Sequence, residues 1–244
     1  NSYAGVANKM LAKKAKEVCV AYEGMERFFP NTKVVLTGNP VRQELKAGGL
    51  TREIAVKSFG LDSSKRTVLI VGGSLGARTI NESVLLHLDL IRKQKDVQFI
   101  WQTGKYYSAE IKYALQEKVK PSNLYVCDFI TGMAKAYKAA DLVISRAGAC
   151  SISELQMLGK PVILVPSPNV AEDHQTKNAM ALVVRKAAIC IKDNEARMFL
   201  IPKAIEVVSD PEMLSTLGNN ILQMGRPRAT EQIVDEILKI ANEK

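Results

Sequence analysis

From Lys65 onward the chain alternates short apolar runs with amphipathic stretches, and this repetition limits the fold more than any single residue does. The runs at 67–71, 97–101, 124–126, 142–145, 162–165 and 188–191 are rich in Val, Ile and Leu, as strands buried on both faces are. Helical patterns at 79–92, 108–118, 132–140, 151–158 and 175–186 separate them. In the first of these, Ile80, Val84, Leu88 and Ile91 fall on one stripe. Strand, helix and strand in regular succession predict a parallel sheet covered by helices on both faces, a doubly wound α/β fold. A ligand of such a sheet sits beyond the carboxyl ends of its strands. The polar and glycine-rich stretches 72–77, 102–105, 128–132, 146–153 and 166–175 all fall there.

The flanks follow other patterns. A basic helix at 6–16 and short strands at 18–21 and 33–36 lead to Gly38-Asn39-Pro40, where the proline restrains Asn39 to extended geometry and predicts a hinge. We expect 1–38 to be the end of a preceding domain and 39–225 to be the sheet domain. Residues 226–244 should carry a final amphipathic helix after Arg226-Pro227, with Ile233, Ile237 and Ile240 on its stripe. The chain opens on Asn1 with no charged-then-apolar leader, which reads as a piece of a longer protein.

Composition narrows the function classes. No apolar run approaches the roughly 18 residues of a bilayer-spanning helix. The net charge of +9 and pI of about 9.3 suit an anionic partner. Nucleic acid is not expected, because Lys and Arg are dispersed without a long basic run or an aromatic-interleaved motif. Lys9, Lys13, Lys14 and Lys16 form a local cluster that is a solvated helix face or a contact for anionic lipid headgroups. Cys19, Cys127, Cys150 and Cys190 fit no metal spacing, and Cys19, Cys127 and Cys190 read as reduced core thiols. His87 and His174 are the only histidines, so no histidine-rich metal site is expected, nor any cofactor.

Residues 72–77, GGSLGA, lack the Gly-Lys-[Ser/Thr] of a P-loop and the spacing of a dinucleotide fingerprint. The loop is a tight turn that lets a helix pack close to the sheet, or a cradle for an anion. LVISRAGACSISEL at 142–155 repeats the pattern of strand, glycine and helix start, and two such starts at neighbouring strands could grip a diphosphate. Ser151-Ile152-Ser153-Glu154 reads as a capping box, in which Glu154 satisfies a backbone donor. The same carboxylate could instead accept from a ribose diol. The loop 166–175, with Pro166 and Pro168, suits sugar hydroxyls, or is an ordinary surface loop capped by Asp173. No Ser-His-Asp order or Cys-His pair can be assembled, so the sheet domain shows no general base.

VVLTGNPVR, GGSLGAR, the Gln-Thr-Gly of WQTGK, FI-x-x-M-A-x-A-Y-x-x-A-D at 129–141, SRAGA-x-S-x-x-E and HQ-x-x-NA at 174–179 occur in this order. Together they resemble the MurG-type glycosyltransferases of bacterial peptidoglycan synthesis, over 1–228. The resemblance implies the Rossmann-like C-terminal domain of a GT-B enzyme, with a final helix that crosses back to the N-terminal domain and is left partly bare without it. The implied reaction moves N-acetylglucosamine from UDP-GlcNAc to lipid I, giving lipid II, at the cytoplasmic face of the plasma membrane. It is inverting: an acceptor hydroxyl attacks the anomeric carbon while helix dipoles and Arg42, rather than a protein-held metal, stabilise the departing UDP.

The same resemblance implies roles for matching residues. Asn1 would close the acceptor-side domain, Arg42 would approach the diphosphate, and Ser74 would contact phosphate. Ile130 would hold uracil through its main chain, and Ala149, Cys150, Ser151, Ile152 and Ser153 would wrap phosphate and sugar with main-chain groups. Glu154 would take the ribose hydroxyls and Gln175 the sugar. Leu75 and His174 stand where relatives carry Gln. The family's acceptor-side glycine loop and histidine do not occur here, so the base is expected outside this chain and the chain alone is expected to be inactive. The competing readings are another UDP-sugar enzyme of the same fold, such as a UDP-GlcNAc 2-epimerase, and a non-catalytic nucleotide- or membrane-binding module.

Overall fold

In the computed structural model, which describes residues 2–46, 48–170 and 173–242, the strands pair into two separate parallel sheets. Helix α1 (Val6–Ala12) precedes β1 (Glu17–Val20) and β2 (Lys33–Leu36), which pair with each other. Only a small core lies beneath them: Ala4, Ala12, Val20, Met25 and Phe29. The basic helix expected over 6–16 therefore stops at Ala12. Lys14 and Ala15 close its last turn with short-range bonds, and the Thr32 hydroxyl donates to the Ala12 carbonyl at 2.9 Å. Cys19 is exposed on this thinly covered sheet and is not a core thiol, whereas Cys127 and Cys190 are free, half-buried and packed against the edge of a core of the main sheet.

Past α2 (Arg52–Lys57), capped by the Thr51 side chain, the chain enters the main sheet. Its strands are β3 (Arg66–Val71), β4 (Val97–Gln102), β5 (Leu124–Cys127), β6 (Leu142–Ser145), β7 (Val162–Leu164) and β8 (Ile189–Cys190). All run parallel, in the order β5-β4-β3-β6-β7-β8. The order reverses between β3 and β6, which makes that junction the topological switch point of a doubly wound sheet. Side chains alternate along β3. Val68 and Ile70 enter one core with Ile80, Val84 and Trp101, while Leu69 and Val71 enter the other with Val143, Ile152 and Leu155.

The helix expected over 79–92 is two, α3 (Arg78–Leu86) and α4 (Leu88–Arg92). They break at His87, whose Nδ1 lies 2.8 Å from the Ser83 carbonyl, yet Ile80, Val84, Leu88 and Ile91 are all buried as the stripe requires. Next come α5 (Ser108–Glu117), α6 (Met133–Ala139), α7 (Ala149–Leu158) and α8 (His174–Val183), the last ending before Lys186 turns left-handed at φ +52°. Three helices went unread in the sequence: α2, α9 (Asp193–Ser209), which packs against α3, and α10 (Pro211–Gln223), capped by Asp210.

Helix α11 (Ala229–Asn242) closes the described chain. It starts beside Gly38, where a Cβ would lie 2.5 Å from the Arg226 Cβ. It then reaches the small sheet, where Lys33 of β2 sits 2.5 Å from Glu17 and 4.0 Å from Glu236. Its apolar face is uneven: Ala229 is buried, whereas Val234, Ile237 and Leu238 are exposed.

Lys160, between α7 and β7, donates to the Ala140 carbonyl at 2.7 Å. Burial pushes its ammonium down to about 8, against the opposing pull of Asp141. Between pH of about 8 and 10.5 the unfolded chain therefore holds a proton that the folded chain has lost, and stability rises with pH across that window. In urea unfolding, the stability of the parent relative to Lys160→Met should rise by about 2–4 kcal/mol from pH 7 to 11. A difference independent of pH would show that the ammonium is hydrated.

Candidate functional site

Helices α3 and α7 leave their strands on opposite faces of the sheet, and a cavity of about 1040 Å³ opens between them at the switch point. Backbone constraints shape its first wall. Gly73 and Gly76 both adopt φ +89°, and Gly104 adopts φ +82°. A Cβ on Gly76 would meet the Thr103 carbonyl at 2.2 Å, and one on Gly104 would meet the Gly76 nitrogen at 2.1 Å. The loops after β3 and β4 are thus interlocked, and Gln102 adds a bond from Nε2 to the Gly73 carbonyl at 2.9 Å. The tight-turn reading of GGSLGA is correct in structural terms. The same turn presents Ser74 to the cavity, and the N-cap Ala77 gives α3 no side-chain cap.

The second helix start corrects the capping-box reading. Helix α7 begins at Ala149 with Gly148 in extended geometry as its cap, so Ser151 lies in the first turn and Glu154 in the second. Glycine at 148 lets the helix start earlier, and from the second turn Glu154 cannot reach back to a cap. Its carboxylate turns to the cavity wall instead. Oε1 accepts from Arg42 Nε at 3.1 Å and sits 3.0 Å from a terminal guanidinium nitrogen, and Oε2 accepts from the Tyr137 hydroxyl at 3.0 Å. Burial, reinforced by the charge of Glu154, holds the Tyr137 hydroxyl far above the usual tyrosine range, so it stays protonated and remains a donor.

The third wall is tied together by Arg146. Its guanidinium donates to the carbonyls of Val165 and Pro166 at 3.1 and 3.2 Å and to Asp193 at 2.5 Å, while Thr79 donates to the other Asp193 oxygen at 2.8 Å. Gln175 bridges two loops through Oε1, which accepts from Ala147 N at 3.1 Å and Ser167 N at 2.9 Å. Among the described residues, no hydrogen-bond partner engages its amide NH2.

Of the residues expected from sequence, Arg42, Ser74, Ile130, Ser151, Glu154 and Gln175 line this one cavity. Among the described residues, no main-chain partner engages the N–H or C=O of Ile130. The main-chain donors expected at 149–153 are open only in the first turn, since Ile152 N already bonds the Gly148 carbonyl at 3.0 Å. The Ile152 side chain is core, the Ser153 hydroxyl accepts from Asn39 at 3.0 Å, and Ala149 and Cys150 are off the cavity wall. Leu75 and His174 are also off the wall, and Asn1 lies outside the described residues. Sequence reasoning missed Tyr137, Arg146, Thr79 and Asp193 as wall residues. Tyr137 and Arg146 stood inside recognised motifs without a role, and Asp193 could have been found as the acidic opening of the helix after the last strand. Among the described residues, no group of three or more His, Cys, Asp or Glu could hold a metal ion.

The strand order, the switch-point cavity and the two uncapped helix starts define a doubly wound domain of the kind that holds phosphorylated ligands. The model of the glycosyltransferase family 28 C-terminal domain matches residues 67–233, and the chain belongs to that family. It is 58% identical over 243 residues to the UDP-N-acetylglucosamine–N-acetylmuramyl-(pentapeptide) pyrophosphoryl-undecaprenol N-acetylglucosamine transferase of Bacteroides fragilis, covering 100% of this chain and 64% of that protein. A crystal structure of Acinetobacter baumannii MurG matches 98% of the chain with a TM-score of 0.75 and 30% identity, and the chain covers 65% of it. A Neisseria meningitidis UDP-GlcNAc 2-epimerase bound to UDP-GlcNAc shares the fold over 96% of this chain and 64% of its own, with a TM-score of 0.66 and 18% identity. The chain thus spans just under two thirds of the length of these relatives.

The interlocked loops give a test of the cavity's first wall. Gly104→Ala forces a Cβ into the Gly76 backbone at a left-handed φ. It should cost about 2–4 kcal/mol in chemical unfolding, the sum of backbone strain and overpacking. Gly148→Ala, with φ −70° and nothing but the Ser151 hydroxyl within 4.0 Å, should cost far less. Equal costs would show that the loops do not interlock.

Proposed function

We propose that the cavity binds UDP-N-acetylglucosamine and that the chain is the donor-binding part of an N-acetylglucosaminyltransferase acting on an undecaprenyl-pyrophosphoryl-muramoyl-pentapeptide. The observation that carries the reading is the Arg42–Glu154 pair, set on the wall between two uncapped helix starts at the switch point. In it the diphosphate lies between the first turns of α3 and α7, where free N–H groups and helix dipoles favour an anion. Uracil meets the open main-chain groups of Ile130, the ribose diol meets Glu154, and the sugar meets the Gln175 amide. The N-acetylglucosamine transferase activity of relatives 58% identical to this chain supports the same assignment.

The chemistry follows from where charge develops. As an acceptor hydroxyl attacks the anomeric carbon, the glycosidic bond to the diphosphate breaks and negative charge builds on UDP. In this reading the first-turn N–H groups, joined by Arg42 once it leaves Glu154, meet that charge rather than the neutral sugar and so favour the transition state over the bound donor. Removal of the acceptor proton falls to a group on the acceptor side, in the portion of the relatives' length that the chain does not span.

The proposal places the protein at the cytoplasmic membrane face, bound peripherally. No helix among the described residues is long and apolar enough to cross a membrane. On and beside α1, Val6, Met10 and Leu11 are exposed next to exposed Lys13, Lys14 and Lys16, which suits an anionic lipid surface. Lys9 differs from the other lysines of the cluster, since its ammonium lies 4.8 and 5.0 Å from the rings of Tyr3 and Phe28.

Calorimetric titration tests the donor assignment: UDP and UDP-GlcNAc should bind at least about tenfold more tightly than ADP, a difference of roughly 1.4 kcal/mol. Equal affinity for ADP and UDP would sink the uracil assignment. For the membrane reading, reversing Lys13, Lys14 and Lys16 to Glu should weaken flotation with anionic liposomes by about 1 kcal/mol per charge, and added salt should do the same to the parent. Flotation unaffected by both would leave the lysines as a solvated face.

A further inference from the structure

The groups that hold Glu154 are the groups a nucleotide needs. Oε1 accepts from Arg42 Nε and has a terminal guanidinium nitrogen 3.0 Å away, and Oε2 receives the Tyr137 hydroxyl. Both oxygens are thus engaged, and the guanidinium covers the Oε1 side that a ribose diol would use to reach the two oxygens together. The two partners differ in freedom. Tyr137 is 3% exposed and packed in the core of the sheet domain, so its hydroxyl is fixed. The Arg42 side chain is 48% exposed, lies on a segment without regular structure, and already touches a second carboxylate, Glu44, at 3.6 Å.

We infer that nucleotide binding exchanges the partners of Arg42: the ribose displaces it from Glu154, and the released guanidinium moves onto the diphosphate. This rests on the UDP-sugar reading above. Recognition of the ribose and of the phosphates is then coupled through one side chain. A ligand with ribose and no phosphate breaks the ion pair without compensation, whereas a nucleoside diphosphate replaces it with a contact of higher charge. Tyr137 stays on Oε2 throughout and keeps the carboxylate aimed as Arg42 leaves. The empty cavity keeps both charges satisfied, and the cation becomes available only when a ligand with the right sugar has arrived.

Arg42→Met separates the two halves of the exchange; the position is exposed, and circular dichroism checks that the variant is folded. Uridine should bind this variant roughly two- to fivefold more tightly than it binds the parent, because no exposed ion pair has to be broken. UDP should bind it about tenfold or more weakly, because the charge on the diphosphate is lost. Uridine affinity that is unchanged or lower in Arg42→Met overturns the exchange, and so does undiminished UDP affinity. A crystal structure of the parent soaked with UDP decides the matter where uridine binds too weakly to titrate. Arg42 should lie on the diphosphate and off Glu154, and its persistence on Glu154 refutes the inference. A parent chain that binds no UDP at all fails the donor reading itself, a result distinct from either of these.

Discussion

The structure depends on β3 being hydrogen-bonded on both sides by parallel strands while its two faces feed separate cores. Val68 through Val71 pair with Phe99 through Gln102 on one side and with Leu142 through Ser145 on the other. A strand so enclosed is apolar wherever it lies between both neighbours, and from Val68 to Val71 its exposure never exceeds 7%. It must also end abruptly, because the next helix has to turn onto one face within a few residues. The glycines of 72–76 meet that demand, with left-handed geometry at Gly73 and Gly76 that other residues rarely adopt. The neighbouring strand β6 sends its helix to the opposite face. A crevice between the two departures is therefore a consequence of the winding, before any side chain is chosen for a ligand.

This explains which parts of the molecule were legible in its sequence. The six strands are short runs set by burial on both faces, and the six helices α3 to α8 between them followed from five stretches of apolar periodicity. Helix α9 was harder to read because its apolar residues are not confined to one stripe: Leu200 and Ile201 are buried while the adjacent Met198 and Phe199 are exposed, and Pro202 sits inside it. The capping box failed for a local reason. Ser-x-x-Glu is a valid helix-start pattern, but Gly148 three residues upstream offers an earlier start, and competition between starts cannot be judged from either pattern alone. Cys19 was misread because the apolar neighbours that suggested a core belong to a two-stranded sheet with little packed over it.

The cavity was legible as a set of strand-end loops, since topology puts them together whatever their sequence. The ion pairs across it were not. Arg42 and Glu154 are 112 residues apart, and Arg146 and Asp193 are 47 apart. Neither separation carries a periodic signal, and each pairing depends on where a loop folds over the strand ends. Tyr137 was visible as a motif residue on a helical stretch but without a role, because its hydroxyl reaches Glu154 from a different element of the same core.

Those pairings give the two carboxylates of the cavity wall unlike roles. Asp193 is held by Arg146 and Thr79, and Arg146 is itself fixed to two backbone carbonyls, so this pair acts as a tie between β6, β7 and α9. Releasing it would strand several polar groups at once, with a cost of about 1–3 kcal/mol for each one left buried and unpaired. Glu154 is held by an exposed arginine on one oxygen and a buried hydroxyl on the other, and losing the arginine strands nothing that solvent or a ligand cannot satisfy. The wall thus divides its charges by the ease of replacing each partner. One pair preserves the shape of the crevice while the other is open to exchange, and the first-turn N–H groups of α3 and α7 face the same space with no side-chain cap to displace. The crevice thus sets the fixed dipoles of two helix starts beside an exposed cation that is paired across the wall to Glu154.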